Sequence, residues 1–327
     1  MSKEFILTIG IVASLAVVFF IVVPVLAGVI ENKKNPKKKR KLSVFEIVIY
    51  VILMAYSFIL IFLVVWAFNA SLKTSDRWDF DTYSLITDWQ FSNFATAYKF
   101  VTASVPGTNI KANVFQCLMN GFLFSGGAAF FQTLCTVIVA YCTSRYDCKL
   151  SKIIHTVVII VLVLPIAGNL ASQYEIAVLT HTYDNLPGMF VMKFGYSNMY
   201  YLVFYSAFKA IPKDYAESAL LDGANHLMVF IRIMLPLVMT LVGAIFLLFF
   251  IQYWNDYQYP MIFLPSMPTA SYALYLFINV GGGDGIVAGN TPLRIAAGFL
   301  VFIPIFVIFV IFRNKIMGNL QEGGIKC

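Results

Sequence analysis

The residue types that stand out for their order rather than their number are Glu217-Ser218-Ala219, then Gly223, then Ile233-x-Leu235-Pro236. They suit helix caps and turns, not bond-making. Asp214 can cap a short helix beginning near Tyr215, with Glu217 at its third position as in a capping box. Gly223 can end that helix in a left-handed conformation, which costs other residues about 1 kcal/mol. Ala224 to Met234 then form a second short helix, and Pro236 sits in the first turn of the next span, where its missing N–H costs little. Asp222 and Ala224 flank the glycine.

Covalent chemistry finds no comparable arrangement. His155, His181 and His226 are far apart with no ligand spacing, and Cys117, Cys135, Cys142, Cys148 and Cys327 hold no C-x-x-C pair and read as small apolar fillers. No G-x-x-x-x-G-K-[S/T] phosphate loop occurs, since the glycine-rich run at 281–290 lacks a lysine, so the chain itself binds no ATP. A membrane-embedded enzyme would need a nucleophile and base, or a metal cluster, near one face, and none stands out.

The elements that must hold the hairpin are apolar. Of 327 residues, 60% are hydrophobic and 12% charged, which places the chain in the membrane class. A spanning helix needs roughly 20 mainly apolar residues. Phe5 to Ile30, Phe45 to Asn69, Val114 to Tyr141, Ile153 to Leu170, Leu237 to Leu264 and Leu293 to Phe312 qualify. A seventh, diluted by Lys193, Asn198 and several tyrosines, runs from about Met189 to Phe208. The reading is an all-α integral membrane protein of about seven transmembrane helices, because lipid offers no partner to unpaired backbone groups and the runs lack the alternation of barrel strands.

Lysine and arginine stay preferentially on the cytoplasmic side. With the run "NKKNPKKKRK" inside, the inner segments hold 16 of the 23 basic residues, which puts the N-terminus outside and the C-terminus and the hairpin in the cytoplasm. The run itself reads as a topology signal that touches anionic lipid head groups, and nucleic acid is not implied. Residues 1–30 read as a span rather than a cleaved signal peptide, because the n-region is nearly neutral and "VLA" is a poor cleavage site.

Glu217-Ser218-Ala219, Gly223 and Ile233-x-Leu235-Pro236 resemble the EAA loop of permease subunits in binding-protein-dependent ABC importers, with serine for the first alanine. The likeness extends from about Val65 to the end, over some four-fifths of the chain. It includes "WAFNASLKT" at Trp66, Asn120, "AYCTSR" at Ala140, "LVLP" ending at Pro165, "QYWNDYQYPMIFL" at Gln252 and the tail "GNLQEGGIKC". The last two are similar to the MalG-like half of the carbohydrate (maltose-type) branch, although Cys327 replaces a final glycine.

The resemblance implies a permease domain over 44–327 with its coupling loop at 212–236. It implies six core spans, so that 1–43 reads as an extra N-terminal helix and basic cytoplasmic linker. In such importers the loop docks in a cleft on a separate ATPase, a helix-in-groove contact. The implied partners are a second, MalF-like permease subunit, two ATPase subunits carrying ATP and Mg, and an extracytoplasmic solute-binding protein, with a carbohydrate as cargo and the bacterial plasma membrane as location. No cofactor is expected in this chain.

Sugars are held by aromatic faces and by amide or carboxylate groups. Candidates at or near membrane depth are Asn120, Tyr141, Gln173, Gln252, Tyr253, Asn255 and Asp256, with Asn169, Tyr174, Glu175 and Tyr257 alongside. Each tyrosine serves equally as an interfacial anchor. Asp256 and Glu175 tell more, because an ionisable group within a span usually faces a cavity or partner. For the external loop Pro265 to Pro292 the resemblance implies an arm toward the binding protein, to which Gly281, Gly282, Gly283, Asp284 and Gly285 give flexibility, while the residues alone read equally as an ordinary turn. A non-sugar importer permease is the alternative. A secondary transporter is further off, since no internal repeat is seen.

Overall fold

The computed structural model describes residues 44–86, 89–104, 111–164, 168–195, 198–280 and 290–317. The first expected span, the lysine run, Pro165, the glycines 281–285 and the tail lie outside the described residues. The chain divides into two compact units, one of 1–100 with 281–300 and one of 101–280 with 301–327. It is mostly helical.

In the first unit, α1 (Val44–Ser71) is apolar almost throughout, and Val48, Ile52, Tyr56, Ile59 and Leu63 are exposed, as a helix facing lipid or another subunit requires. Its last turn is tied down by polar bonds. Asn69 Nδ2 donates to Ser84 O and its Oδ1 accepts from Ile86 N, while Asn93 Nδ2 donates to Ser71 O and Lys73 O. Lys73, 0% exposed, spends its ammonium on Asp81 O and Thr82 O at 3.0 Å and on Ser84 Oγ. A buried cation is tolerable only when so satisfied. Two short helices follow, α2 (Ser75–Phe80) and α3 (Ser92–Phe100), and Phe94 of α3 packs on Phe68.

The second unit starts with a two-residue antiparallel pair, β1 (Ala103–Ser104) with β2 (Lys111–Ala112). It is then built around α4 (Val114–Arg145), whose capping box pairs Asn113 with Gln116. Small residues let neighbours approach α4 closely. A Cβ at Gly127 would stand 2.1 Å from the Phe190 ring. After α4 come α5 (Lys149–Val163), α6 (Leu170–Leu179), α7 (Leu186–Met192) and α8 (Met199–Ala210), of which α5, α7 and α8 pack on α4. The hairpin helices α9 (Asp214–Leu221) and α10 (His226–Val229) come next, then a π-helical turn at Phe230–Met234 and α11 (Leu235–Leu237). The chain continues as α12 (Met239–Asn255), α13 (Gln258–Phe263) and α14 (Ala270–Val280). The last helix, α15 (Thr291–Met317), runs through both units. The core is aromatic and alanine-rich, with Phe124, Ala128, Tyr201, Phe204, Phe249 and Trp254 at its centre.

Among the described residues three helices are long and apolar enough to cross a membrane, Val48–Ser71, Val114–Arg145 and Thr291–Phe312. A fourth crossing arises if His226–Leu237 and Met239–Asn255, bent by 77°, count as one. Ile153 to Leu170 is helical as far as Val163, with 165–167 outside the described residues, and two further expected spans are broken. Met189 to Phe208 is split between α7 and α8, and Leu237 to Leu264 is interrupted at Val238 and again at Asp256–Tyr257. The segment expected as a loop over Pro265–Pro292 contains α14, whose Ala270, Ala273 and Phe277 are buried.

Candidate functional site

The hairpin departs from the expected cap and keeps the expected turn. Lys213, not Asp214, stands at the helix start in αR geometry with no side-chain bond, so the capping box does not form. Asp214 and Glu217 occupy the first turn instead, where carboxylates favour the positive helix end. Ser218 Oγ donates to Asp214 O at 2.8 Å, so its hydroxyl is satisfied within the helix. Gly223 has φ +87°, and Ala224 N donates back to Ala219 O at 3.0 Å, closing the C-terminus as a left-handed cap does. Nothing lies within 4 Å of a Cβ built there, so glycine answers the backbone rather than a crowded space. Asn225 then caps α10, accepting from Met228 N at 2.7 Å.

One side of the hairpin is packed and the other open. Ala219, Val229 and Met234 are buried, and Ala224, Ile233 and Leu235 are half-buried. Leu221 (89% exposed), Leu227 (65%), Tyr215 and Ile231 point outward beside the exposed Glu217, Ser218 and Asp222, with Pro236 also exposed. An apolar patch rimmed by carboxylates is the surface a short helix offers to a groove.

A second polar concentration sits where the two broken spans meet α4. Lys193, just after α7, places its Nζ 3.2 Å from the centroid of the Tyr259 ring and 5.0 Å from that of Tyr253. Tyr253 Oη donates to Gln132 Oε1 at 2.8 Å, and Gln132 Nε2 donates to Gly195 O at 2.9 Å. Asn198 Nδ2 donates to Thr136 Oγ1 at 2.9 Å, while its Oδ1 is buried without a partner. Asp256 Oδ1 accepts from Tyr259 N at 3.0 Å and so starts α13. Among the described residues no carboxylate is within ion-pair distance of Lys193, and its ammonium rests on aromatic faces.

Of the expected path residues, only Tyr253 and Asp256 fall in this cluster. Asn120 Nδ2 donates to Pro268 O at 3.1 Å, a bond that fastens the segment before α14 to α4. Gln252 and Asn255 are exposed on another side of α12, and Asn255 donates to its own helix at Ile251 O. Gln173 is half-buried on α6 and Tyr141 is buried under the hairpin. Gln132, Lys193 and Asn198 are cluster members that sequence reasoning does not pick out. Their signal is a lysine and an asparagine in an otherwise apolar stretch, which look there like mere dilution.

Among the described residues no three His, Cys, Asp or Glu side chains gather as metal ligands. His155 is engaged by Tyr201 Oη at 3.0 Å and stacked on Tyr205. Cys148 is exposed, and bonds from the Ser151 side chain and backbone hold its thiol below the ordinary range. An apolar groove of about 930 Å³ runs between α4, α12 and α15, lined by Phe130, Val137, Leu247, Phe250 and Ile308 among others.

Residues 132–314 match the model of the family described as binding-protein-dependent transport system inner membrane component. The chain is 29% identical over 191 residues to a probable ABC transporter permease, the MG189 homolog of Mycoplasma pneumoniae, a match covering 56% of this chain and 60% of that one. It is 24% identical over 257 residues to the melibiose/raffinose/stachyose import permease MelC of Bacillus subtilis, covering 77% and 85%. Its fold is similar to a chain in the crystal structure of a bacterial ABC transporter involved in the import of the acidic polysaccharide alginate, with TM-score 0.66 and 17% identity over 84% of this chain and 99% of that one. The family match takes in both parts of the site, the hairpin and the broken spans around α4, and the chain belongs to the inner-membrane permease components of binding-protein-dependent ABC transport systems.

Proposed function

We propose that this chain is the permease subunit of an ATP-driven importer of sugars or oligosaccharides. It forms half of the translocation path beside a second, MalF-like permease, couples through the hairpin at 212–236 to two ATPase subunits, and receives cargo from an extracytoplasmic solute-binding protein. The observation that carries this is the hairpin: a left-handed Gly223 folds two helices so that one face is packed and the other presents leucines and carboxylates. The named cargo of MelC supports carbohydrate for this chain. The apolar groove along α4, α12 and α15 suits the second permease, since long apolar helix faces need lipid or another helix. ATP and Mg belong to the ATPase.

The C-terminus and hairpin lie in the cytoplasm and the N-terminus outside, as the lysine distribution favours. Seven crossings result if the short and broken helices each complete one, with residues 1–43 the extra first. The Lys193–Asn198–Gln132–Tyr253–Asp256 cluster is the candidate cargo contact, because broken helices, an ionisable side chain and an unpaired acceptor meet there. Tyr141 belongs with coupling rather than with cargo.

Tagging the chain and extracting it gently from its native membrane tests the reading. An ATPase and a second permease are expected to co-purify, and a Glu217→Lys, Gly223→Pro double variant should lose the ATPase alone. A wild-type chain that emerges by itself from intact membranes would sink the proposal.

A further inference from the structure

Beneath the hairpin, one guanidinium reaches both of its ends. Arg145, the last residue of α4, donates from Nη2 to Ile211 O at 2.8 Å, where the chain leaves α8 to begin the hairpin. The same nitrogen lies 3.7 Å from Met234 Sδ, in the π-helical turn where the hairpin finishes. Met234 is wholly buried, and Arg145 Nε is buried without a partner. Among the described residues no carboxylate is within ion-pair distance of Arg145. The contact therefore does not neutralise a charge. It holds two stretches of chain to the end of one helix.

The surroundings reinforce that tie. One turn back on α4, the Tyr141 ring meets Phe208 of α8 edge-on at 5.4 Å and Phe230 of the π-helical turn at 4.7 Å. Tyr146, just past the helix, contacts the ring of His226 on α10 at 5.7 Å. A small cavity of about 190 Å³ beside this tie is lined by Tyr141 and Arg145 of α4 and by Ala216, Leu220 and Val229 of the hairpin. An exposed ion pair nearby, Lys213 with Asp147 at 3.9 Å, adds little stiffness.

Continuity decides how α4 responds to a displacement. It runs unbroken from Val114 to Arg145, while the flanking spans are interrupted between α7 and α8 and between α12 and α13. Gln132, which anchors both interruptions through Gly195 and Tyr253, lies on the same helix about 20 Å from Arg145. A stiff helix pinned at the hairpin and bonded at the breaks is a contiguous mechanical link between two sites.

Resting on the coupling reading above, we propose that Arg145 is a positioning residue for transport: its Nη2 pins both ends of the hairpin to α4, so that movement of the docked hairpin is delivered to the broken spans. The planar guanidinium suits this because it keeps one nitrogen fixed against two acceptors, whereas a lysine ammonium is a single point on a flexible stem.

The test uses the complete importer in proteoliposomes with its binding protein, ATPase and second permease. Solute uptake and ATP hydrolysis are measured together for wild type, Arg145→Met and Arg145→Lys, and ATPase retention on the tagged chain is measured alongside. Both variants should keep the ATPase and hydrolyse ATP while moving about tenfold less solute per ATP, the scale of one lost charge-assisted hydrogen bond. A wild-type ratio of solute to ATP in either variant overturns the proposal. Loss of the ATPase from both variants also overturns it, because Arg145 would then serve hairpin folding alone. If the wild type itself shows no ATP-driven uptake, the importer reading fails first and this proposal with it.

Discussion

Lys193 is the residue whose environment asks most for a use. An ammonium among spans is expensive, and here two tyrosine rings meet it in place of a carboxylate. Lys193→Met should leave the chain inserted and the ATPase bound, yet slow uptake by about tenfold or more, the scale of a desolvated cation–π contact near 2 kcal/mol. Uptake assays with two sugars of different length check this, and unchanged uptake of both would remove Lys193 from the cargo path. Cys148 gives a second prediction at this scale. Its thiol is exposed and hydrogen-bonded by Ser151, which favours the thiolate, so its alkylation rate should already rise below the pH at which an ordinary thiol reacts. Ser151→Ala should move that profile back up. An unshifted profile would mean the Ser151 contacts do not act on the thiol.

At the scale of elements, the hairpin and the helix α4 depend on glycine for opposite reasons. Gly223 is a conformational requirement, with φ +87° and free space around it. Gly223→Ala should cost about 1 kcal/mol and weaken ATPase retention modestly, while Gly223→Pro, whose ring holds φ near −65°, should abolish it. Equal retention by the two variants, read by co-purification, would show that the left-handed turn does not shape the docking face. Gly127 is a requirement of space, because Phe190 of α7 occupies the place a Cβ would take. Gly127→Ala should destabilise the extracted protein by about 1–3 kcal/mol, as overpacking does, and a Phe190→Leu change in the same chain should recover part of the loss. Thermal unfolding of the two variants in detergent decides it, and no recovery would place the strain elsewhere.

At the scale of the whole molecule, the proposed importer draws its energy from a partner ATPase. Uptake should therefore stop when either the ATPase or the second permease is left out of proteoliposomes, and uptake driven by an ion gradient without ATP would restore the secondary transporter. The order of residues alone carries the membrane class, through long apolar runs, and the family, through the pattern from Glu217 to Pro236. These are legible because helix length and a left-handed glycine are demands a few neighbouring residues make on their own backbone. Local pattern misplaces the cap, where Asp214 joins the helix rather than starting it, because a short helix end is settled by its neighbours as much as by its own side chains. It also makes one span of Met189 to Phe208 and a loop of Pro265 to Pro292, since hydropathy counts apolar residues and does not register where polar backbone finds partners. Folding in three dimensions is what lets Gln132, Lys193, Gly195, Asn198 and Tyr253 meet, and what lets Arg145 hold Ile211 and Met234 together. Those contacts join residues dozens of positions apart, and the packing of α7, α8 and α12 on α4, rather than any local pattern, brings them within reach.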